Sequence, residues 1–113
     1  MFNIVAVNDD DHGRNHAFIM DSAGAWTLAP AFDHTLATYP LSSGYRAARV
    51  NGKASSIQRK DLIKLGEEHD VKNPADIIAR VVDSVARWNE HAAAHGISPE
   101  NAAFVQQQHR LRF

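Results

Sequence analysis

Three side chains near the start of the chain, Asp10, Asn15 and Asp33, have the types and spacings that suit phosphoryl transfer. Asn15 follows Asp10 by five positions, and Asp33 follows Asn15 by eighteen. In one known class of phosphoryl-transfer enzymes with this spacing, the first Asp accepts the proton of an attacking hydroxyl, while the Asn and the second Asp hold the Mg²⁺ that bridges nucleotide phosphates. Carboxylate and amide oxygens are ligands that Mg²⁺ prefers. The pattern predicts a magnesium-dependent phosphoryl-transfer site within residues 7–33.

The acidic stretch also allows other interpretations. The three consecutive carboxylates of residues 9–11 repel one another and need a cation nearby, unless they form only a solvated acidic turn. An EF-hand is excluded: with Asp9 and Asp11 as its first and third positions, Arg14 stands where a glycine is required, and no glutamate follows at position twelve. A zinc site with Asp and His ligands stays open, because the spacing does not exclude it.

A β-hairpin is predicted between Asn15 and Asp33. The apolar segments 17–20 and 25–28 flank the turn-rich residues 21–24, which include Gly24. Pro30 biases the preceding residue away from helix and stiffens the approach to Asp33. The hairpin would return the chain so that Asp33 lies near Asp10 and Asn15.

The segments 8–15, NDDDHGRN, and 28–33, LAPAFD, together with Gly24 and Trp26, resemble the C-terminal lobe of HipA-type serine/threonine kinases, the toxins of bacterial toxin–antitoxin pairs. The likeness runs to about residue 112. It implies a mainly α fold with a small β-hairpin, the C-terminal helical lobe of a kinase-like (HipA) fold. The single domain, 1–113, would comprise the catalytic loop, hairpin and metal-binding Asp (7–33), an irregular loop (34–56) and a helical bundle (57–113).

The resemblance also implies roles for individual residues. Asp10 would be the catalytic base, Asn15 and Asp33 would bind Mg²⁺, and ATP would be the phosphoryl donor. His12, in the family's Asp-x-His pattern, would support the loop. Arg14 would support it where the family more often has Lys, and this departure leaves the phosphate contact open, because Arg forks while Lys presents a point charge.

The same likeness implies partners: a protein substrate such as an aminoacyl-tRNA synthetase, and a HipB-like DNA-binding antitoxin that restrains growth arrest and persistence. The 113 residues contain neither a glycine-rich phosphate loop nor a strand lysine of the kinase N-terminal lobe. We therefore expect a fragment that is inactive without that lobe. The alternative is a non-catalytic helical interaction module or pseudokinase lobe.

Composition narrows the classes of protein further. A chain of 113 residues, 44% hydrophobic, can form one domain with a core. The net charge of −1, from 12 basic and 13 acidic residues, gives no footprint for direct nucleic-acid binding. The chain has no cysteine for disulfides or thiolate metal sites and no apolar run near the ~20 residues of a membrane span. A cytoplasmic protein is expected.

The segment before the predicted site and the loop after it allow two interpretations each. Residues 2–7 alone suggest a short buried strand, whereas the resemblance implies the end of a long helix. In the loop 34–56, Arg46, Arg49 and Lys53 would face an acidic partner or phosphate, or would form a solvated basic loop.

Three helices are predicted in the second half of the chain. The first runs from Arg59 to about Glu68. The second begins after an Asn73 cap, with Pro74 at its first position, and continues to Gly96 along one apolar stripe. The third begins at 98–100 and places Phe104, Val105 and Leu111 on its inner face. His91 and His95 lie one turn apart, but with no third ligand they are expected to be solvated.

Overall fold

The computed structural model describes residues 1–38 and 46–112. The helices are α1 (Phe2–Val5), α2 (Arg59–Glu68), α3 (Pro74–Ala86), α4 (Trp88–Ala94) and α5 (Pro99–Gln108), and the strands are β1 (Phe18–Met20) and β2 (Trp26–Leu28). A 3₁₀ turn covers Gly13–Asn15. The predicted mainly α fold with a small hairpin is confirmed. Residues 39–45 of the predicted irregular loop lie outside the described residues. None of the described helices is long and apolar enough to cross a membrane.

The hydrophobic core lies where α1, α2 and α3 meet the segment that precedes α2. Its buried members are apolar residues from all four parts, with Leu62 and Ile78 fully buried: Ile4, Val50, Ile57, Leu62 and Ile78. Close packing of aliphatic side chains in such a cluster supplies most of the stabilisation of a small domain. The core therefore fixes the position of α1, and the acidic stretch follows directly after this helix.

The start of the chain is helical, so the strand interpretation of residues 2–7 is wrong and the helix implied by the resemblance is correct for Phe2–Val5. Ile4 and Val5 are buried, and α1 packs on α3. A short apolar run fits a buried strand or a buried helix equally well, and contact with α3 decides between them here. Val7 then adopts a left-handed conformation (φ +58°), which is rare for a β-branched residue and turns the chain out of the helix.

The predicted hairpin forms between β1 and β2. The strands are antiparallel, with Phe18 opposite Leu28 and Met20 opposite Trp26. Asp21 closes the turn, since its carboxylate Oδ1 accepts hydrogen bonds from the backbone N–H groups of Ala23 and Ala25, each at 2.9 Å. Gly24 takes the left-handed conformation (φ +85°) that the turn requires. Local turn chemistry thus sets the register of this hairpin.

Helix α2 has the predicted bounds, and its first turn is held by Asp61. The carboxylate of Asp61 accepts a hydrogen bond from the backbone N–H of Gln58 at 2.8 Å and pairs with Lys53 Nζ at 2.6 Å. The hydrogen bond from Lys53 lowers the pKa of Asp61, and the bond from Gln58 adds to that shift. Near its other end, α2 passes so close to α3 that a Cβ on Gly66 would stand 2.5 Å from Cβ of Pro74. A glycine is therefore required at this crossing.

The predicted second helix is wrong in one respect, because it is divided into α3 and α4 at Arg87 (φ −83°, ψ 15°). The apolar stripe continues across the break, which is why periodicity alone gives one helix. The bend lets the indole Nε1 of Trp88 donate a hydrogen bond to the carbonyl oxygen of Ala102 at 2.9 Å. The end of α4 agrees with the prediction, since Gly96 follows it in a left-handed conformation (φ +70°).

Helix α5 begins as predicted, because the Ser98 hydroxyl accepts a hydrogen bond from the backbone N–H of Asn101 at 3.3 Å. The predicted inner position of Phe104 is wrong, since that residue is 60% exposed. Ala102 is buried, and a residue two positions further along a helix lies about 200° around its axis, so Phe104 faces away from the core. Val105, three positions after Ala102, is partly buried, as is Leu111 beyond the helix end.

Candidate active site

The first residues of the acidic stretch are held by backbone pairing. Asn8 forms a parallel bridge with Ala37, the N–H of Asp9 donates to the carbonyl oxygen of Ala37 at 2.8 Å, and the carbonyl oxygen of Asp9 accepts from the N–H of Ala47 at 2.8 Å. Asp9 is thus bonded to chain segments on both sides. Such pairing restricts the backbone just before Asp10.

Asp10 and Asn15 are joined across the loop. The side-chain Nδ2 of Asn15 donates a hydrogen bond to the backbone carbonyl oxygen of Asp10 at 3.2 Å, and the N–H of His12 donates to the same oxygen at 2.8 Å. Because the amide nitrogen of Asn15 takes this bond, its side-chain oxygen is the atom that would face a cation. The carboxyl group of Asp10 belongs to an exposed residue, while Asn15 is partly buried.

Asp33 is tied to the same loop by Asn8. The side-chain Nδ2 of Asn8 donates a hydrogen bond to the backbone carbonyl oxygen of Asp33 at 2.9 Å, across 25 positions of sequence. Asn8 is only 2% exposed, and Asp33 adopts a left-handed conformation (φ +55°), which Asp tolerates better than most residues. The hairpin thus ends with Asp33 held against the start of the acidic stretch.

Asn15 and Asp33 line one pocket of about 220 Å³ together with Asn3, Asn8, His16 and His34. The remaining lining residues are Ala17 and residues 28–32. Asp10 is not part of this lining, but its carbonyl oxygen bonds to Asn15. The structure therefore brings two of the three predicted groups to one pocket and places the third on the adjoining loop.

The supporting residues lie in the same loop. His12 is partly buried, and its carbonyl oxygen accepts a hydrogen bond from the N–H of Asn15 at 3.0 Å. Arg14 is exposed within the 3₁₀ turn, so its guanidinium faces the solvent. His91 and His95, expected to be solvated, are both exposed on the other half of the chain.

Over residues 1–38 and 46–112, no three His, Cys, Asp or Glu side chains are grouped closely enough to hold a metal ion. This finding lends no support to the zinc alternative. Mg²⁺ has a different requirement, since it is commonly bound by one or two protein groups with nucleotide phosphates and water completing its shell. The oxygen donors of Asn15 and Asp33 fit that arrangement.

Sequence reasoning missed the residue that relieves repulsion in the acidic stretch. Arg46, which was expected to face a partner, phosphate or solvent, is only 6% exposed. Its Nη2 lies 3.3 Å from Oδ2 of Asp11, and its Nη1 lies 3.7 Å from Oδ1 of Asp9. Burial lowers the pKa of Arg46, and the two carboxylates oppose that shift. The contact spans about 35 positions of sequence, so no local pattern signals it.

The other two basic residues of that segment behave differently from Arg46. Lys53 pairs with Asp61 at the start of α2, as described above. Arg49 is exposed, and its Nη1 donates to the carbonyl oxygen of Gly52 at 3.4 Å. The segment is therefore not a uniform basic surface.

One face of the hairpin is apolar and exposed. Phe18, Met20, Trp26 and Leu28 share this face by their pairing, and each is more than half exposed. Isolated apolar side chains are normal on a protein surface, but four large ones on a single face form a patch of the kind that contacts another protein surface.

Comparison with models of known protein families identifies the family of the chain. The family model of the HipA-like C-terminal domain matches residues 1–92. This range includes the acidic stretch, the hairpin, helices α1, α2 and α3, and most of α4. The chain belongs to the HipA-like C-terminal domain family and thereby to the HipA kinase family, whose members use ATP and magnesium. Residues 93–112, with α5, lie outside the match. No curated protein and no solved structure matches the chain.

Proposed function

We propose that the chain is the catalytic-loop half of a protein serine/threonine kinase that uses ATP and Mg²⁺. The observation that carries this proposal is the pair of hydrogen bonds that ties the loop together: Asn15 to the carbonyl oxygen of Asp10, and Asn8 to the carbonyl oxygen of Asp33. One bond links Asn15 to the backbone of Asp10, and the other links Asp33 to Asn8 at the start of the same acidic stretch; membership of the HipA kinase family supports the same reaction.

In the proposed reaction, a serine or threonine hydroxyl of a protein substrate attacks the γ-phosphorus of ATP. The new O–P bond forms as the bond between the γ-phosphorus and the bridging oxygen breaks, and ADP leaves with that oxygen. Asp10 orients the hydroxyl and accepts its proton. Asn15 and Asp33 would supply oxygen ligands to Mg²⁺, which would neutralise the phosphate charge. Phosphoryl transfer needs mainly positioning and charge neutralisation, so the exposed position of Asp10 is compatible with its role.

The apolar hairpin face supports a further part of this proposal, that an N-terminal lobe of the same protein covers the pocket. A family described as a C-terminal domain implies chain on its N-terminal side in the proteins that carry it. Amide hydrogen exchange tests the contact: β1 and β2 are expected to exchange more slowly in the full-length protein than in residues 1–113 alone. Equal rates would contradict it.

The partners follow from the resemblance and are proposed with the reaction. One is a protein substrate such as an aminoacyl-tRNA synthetase. The other is a HipB-like DNA-binding antitoxin, which would inhibit the kinase, the toxin of the pair. An in vitro reaction of the full-length protein with a synthetase and labelled ATP tests the substrate directly. Labelling of other proteins with none on the synthetase would redirect the proposal to a different substrate.

The proposed activity is tested by isosteric substitutions in the full-length protein. Asp10→Asn and Asp33→Asn are expected to lower the rate of γ-phosphate transfer from ATP by about 100-fold or more, because each removes a carboxylate that acts on the reacting groups. Asp83→Asn, at a carboxylate of α3 whose side chain is 73% exposed, is the matched control and should leave the rate unchanged.

Unchanged transfer in either site variant would contradict the assigned roles. A wild-type protein that folds and transfers no phosphate would favour the alternative function, a pseudokinase lobe that keeps the loop as a scaffold for binding.

A further inference from the structure

The acidic stretch divides its three carboxylates between two sides of the loop. Asp9 and Asp11 are partly buried beside Arg46, whereas Asp10 between them is exposed. Asp9 and Asp10 lie in a turn, and along residues 9–11 the side chains alternate between the buried side and the solvent. Anything that holds Asp9 and Asp11 on the buried side therefore also fixes the side on which Asp10 is presented.

Arg46 faces this buried side with both of its terminal guanidinium nitrogens, while its third nitrogen bonds within its own segment. Besides the contacts to Asp9 and Asp11, Nη2 donates to the carbonyl oxygen of Asn8 at 3.3 Å, and Nε donates to the carbonyl oxygen of Ala48 at 2.8 Å. A planar fork reaches several acceptors at fixed angles, which the single ammonium group of Lys does not. The guanidinium thus hydrogen-bonds both Asp11 and the backbone of the loop and forms a longer ion pair with Asp9.

The backbone around Arg46 is itself anchored to the loop and to the following turn. Its N–H donates to the carbonyl oxygen of Ala54 at 3.1 Å, and the next residue, Ala47, donates to the carbonyl oxygen of Asp9. The side chain is also deeply buried, with a side-chain exposure of 3%. Arg46 is therefore a fixed support and not a mobile surface cation.

We propose that Arg46 is a positioning residue for phosphoryl transfer: it holds Asp9 and Asp11 on the buried side of the loop so that the carboxylate of Asp10 is presented to the substrate hydroxyl. This role rests on the proposed kinase function. Arg46 touches neither substrate nor nucleotide in this role and acts only through the loop.

The test uses Arg46→Ala and Arg46→Lys in the full-length protein, with Arg49→Ala as the matched control, an exposed arginine of the same segment. Arg46→Ala is expected to lower kcat by about 100-fold, the scale associated with a misplacement of about 1 Å in a reacting group. The KM for ATP should stay unchanged, because Asn15 and Asp33, the proposed ligands of the Mg²⁺ that accompanies ATP, are kept. Arg46→Lys should fall between Arg46→Ala and the wild type, and Arg49→Ala should match the wild type.

A second readout follows the loop without relying on activity. The amides of His12 and Asn15, which are bonded within the loop, should exchange hydrogen faster in Arg46→Lys than in the wild type, while the amides of α3 should not change. If Arg46→Ala does not fold, as judged by circular dichroism, Arg46→Lys alone decides the outcome.

The possible outcomes separate the two proposals. A folded Arg46 variant with wild-type kcat and wild-type exchange would overturn the positioning role while leaving the kinase proposal intact. A fall in kcat for Arg49→Ala as large as that for Arg46→Ala would also overturn the positioning role. If the wild type transfers no phosphate, the kinase proposal fails, and with it the catalytic part of the role; the exchange measurement then still decides whether Arg46 orders the loop.

A double-mutant cycle adds a direct test of the pathway. Asp11→Asn should lower kcat in the same way as Arg46→Lys, and the combined variant should lose less than the product of the two separate falls, because both remove the same contact. Independent, multiplicative effects would contradict an action of Arg46 through Asp11.

Discussion

The two halves of the molecule share one hydrophobic core but differ in the polar groups that they bury. From α2 onwards, helices bury aliphatic residues against one another, and Leu62 and Ile78 are fully buried. The half that carries the candidate site adds Ile4, Val50 and Ile57 to the same core, but it also buries the polar residues Asn8 and Arg46 and carries a hairpin whose apolar face is exposed. Hydrogen bonds and ion pairs have strict geometry, whereas apolar packing tolerates small shifts. The comparison teaches that aliphatic packing from both halves supplies stability, and that the buried polar contacts of the site half add the placement of a few groups.

The largest expected difference between the halves concerns two leucines. Leu62→Ala should lower the free energy of unfolding by about 2–5 kcal/mol, because it removes a fully buried side chain and leaves a cavity. Leu28→Ala, on the hairpin and 65% exposed, should change it by less than about 0.5 kcal/mol. Chemical denaturation of the two variants measures both values. Similar losses would remove the distinction drawn between the two halves.

A smaller effect is expected at the polar link between the acidic stretch and Asp33. Asn8→Ala removes the hydrogen bond to the carbonyl oxygen of Asp33 and should lower the free energy of unfolding by about 1 kcal/mol. Mg²⁺-dependent nucleotide binding by the full-length protein should also weaken, because Asp33 is released. The loss of binding should be larger than the loss of folded protein alone explains.

The control for this change is Asn89→Ala, at an exposed asparagine of α4. It should alter neither stability nor binding. Should Asn8→Ala bind Mg²⁺ and nucleotide as well as the wild type does, Asn8 would be a structural residue with no part in placing Asp33.

The smallest expected effect is a pH dependence in the helical half. Burial lowers the pKa of His109, whose ring meets Trp88 edge to face with centroids 5.9 Å apart. The folded state therefore favours the neutral ring, and its contribution to stability is full above the ordinary pKa of 6.5 and is lost as the pH falls below that value.

Melting temperatures between pH 7.5 and 5 check this expectation. The wild type should lose stability over that range more steeply than His109→Gln does, whereas His91→Gln, at an exposed histidine of α4, should follow the wild type. Parallel curves for the wild type and His109→Gln would show that the buried ring does not contribute.

The features that the sequence predicted correctly depend on residues close together in the chain. The hairpin follows from the turn residues Asp21 and Gly24, and α2 follows from its own periodicity. The bend at Arg87 and the outward position of Phe104 were not predictable, because both depend on where Trp88 meets Ala102. Periodicity reports which face of a helix is apolar, but it does not report where a neighbouring helix bends the chain.

The candidate site divides in the same way. The spacing of Asp10, Asn15 and Asp33 gave the motif, and the structure adds the contacts that join its parts. The bond from Asn8 to Asp33 and the pairing of Arg46 with Asp9 and Asp11 cross 25 and about 35 positions of sequence, respectively. Contacts of that range are set by the folded chain, so a pattern in one sequence does not identify the partners.

Paramagnetic broadening by Mn²⁺, used in place of Mg²⁺, tests most directly whether the residues tied together here form one metal-dependent site. In the full-length protein with a non-hydrolysable ATP analogue, Mn²⁺ should broaden the amide signals of Asp10, Asn15 and Asp33 and leave those of Asp76 and Asp83 on α3 sharp. Broadening centred on α3, or sharp signals from both Asn15 and Asp33 at saturating Mn²⁺, would contradict the account.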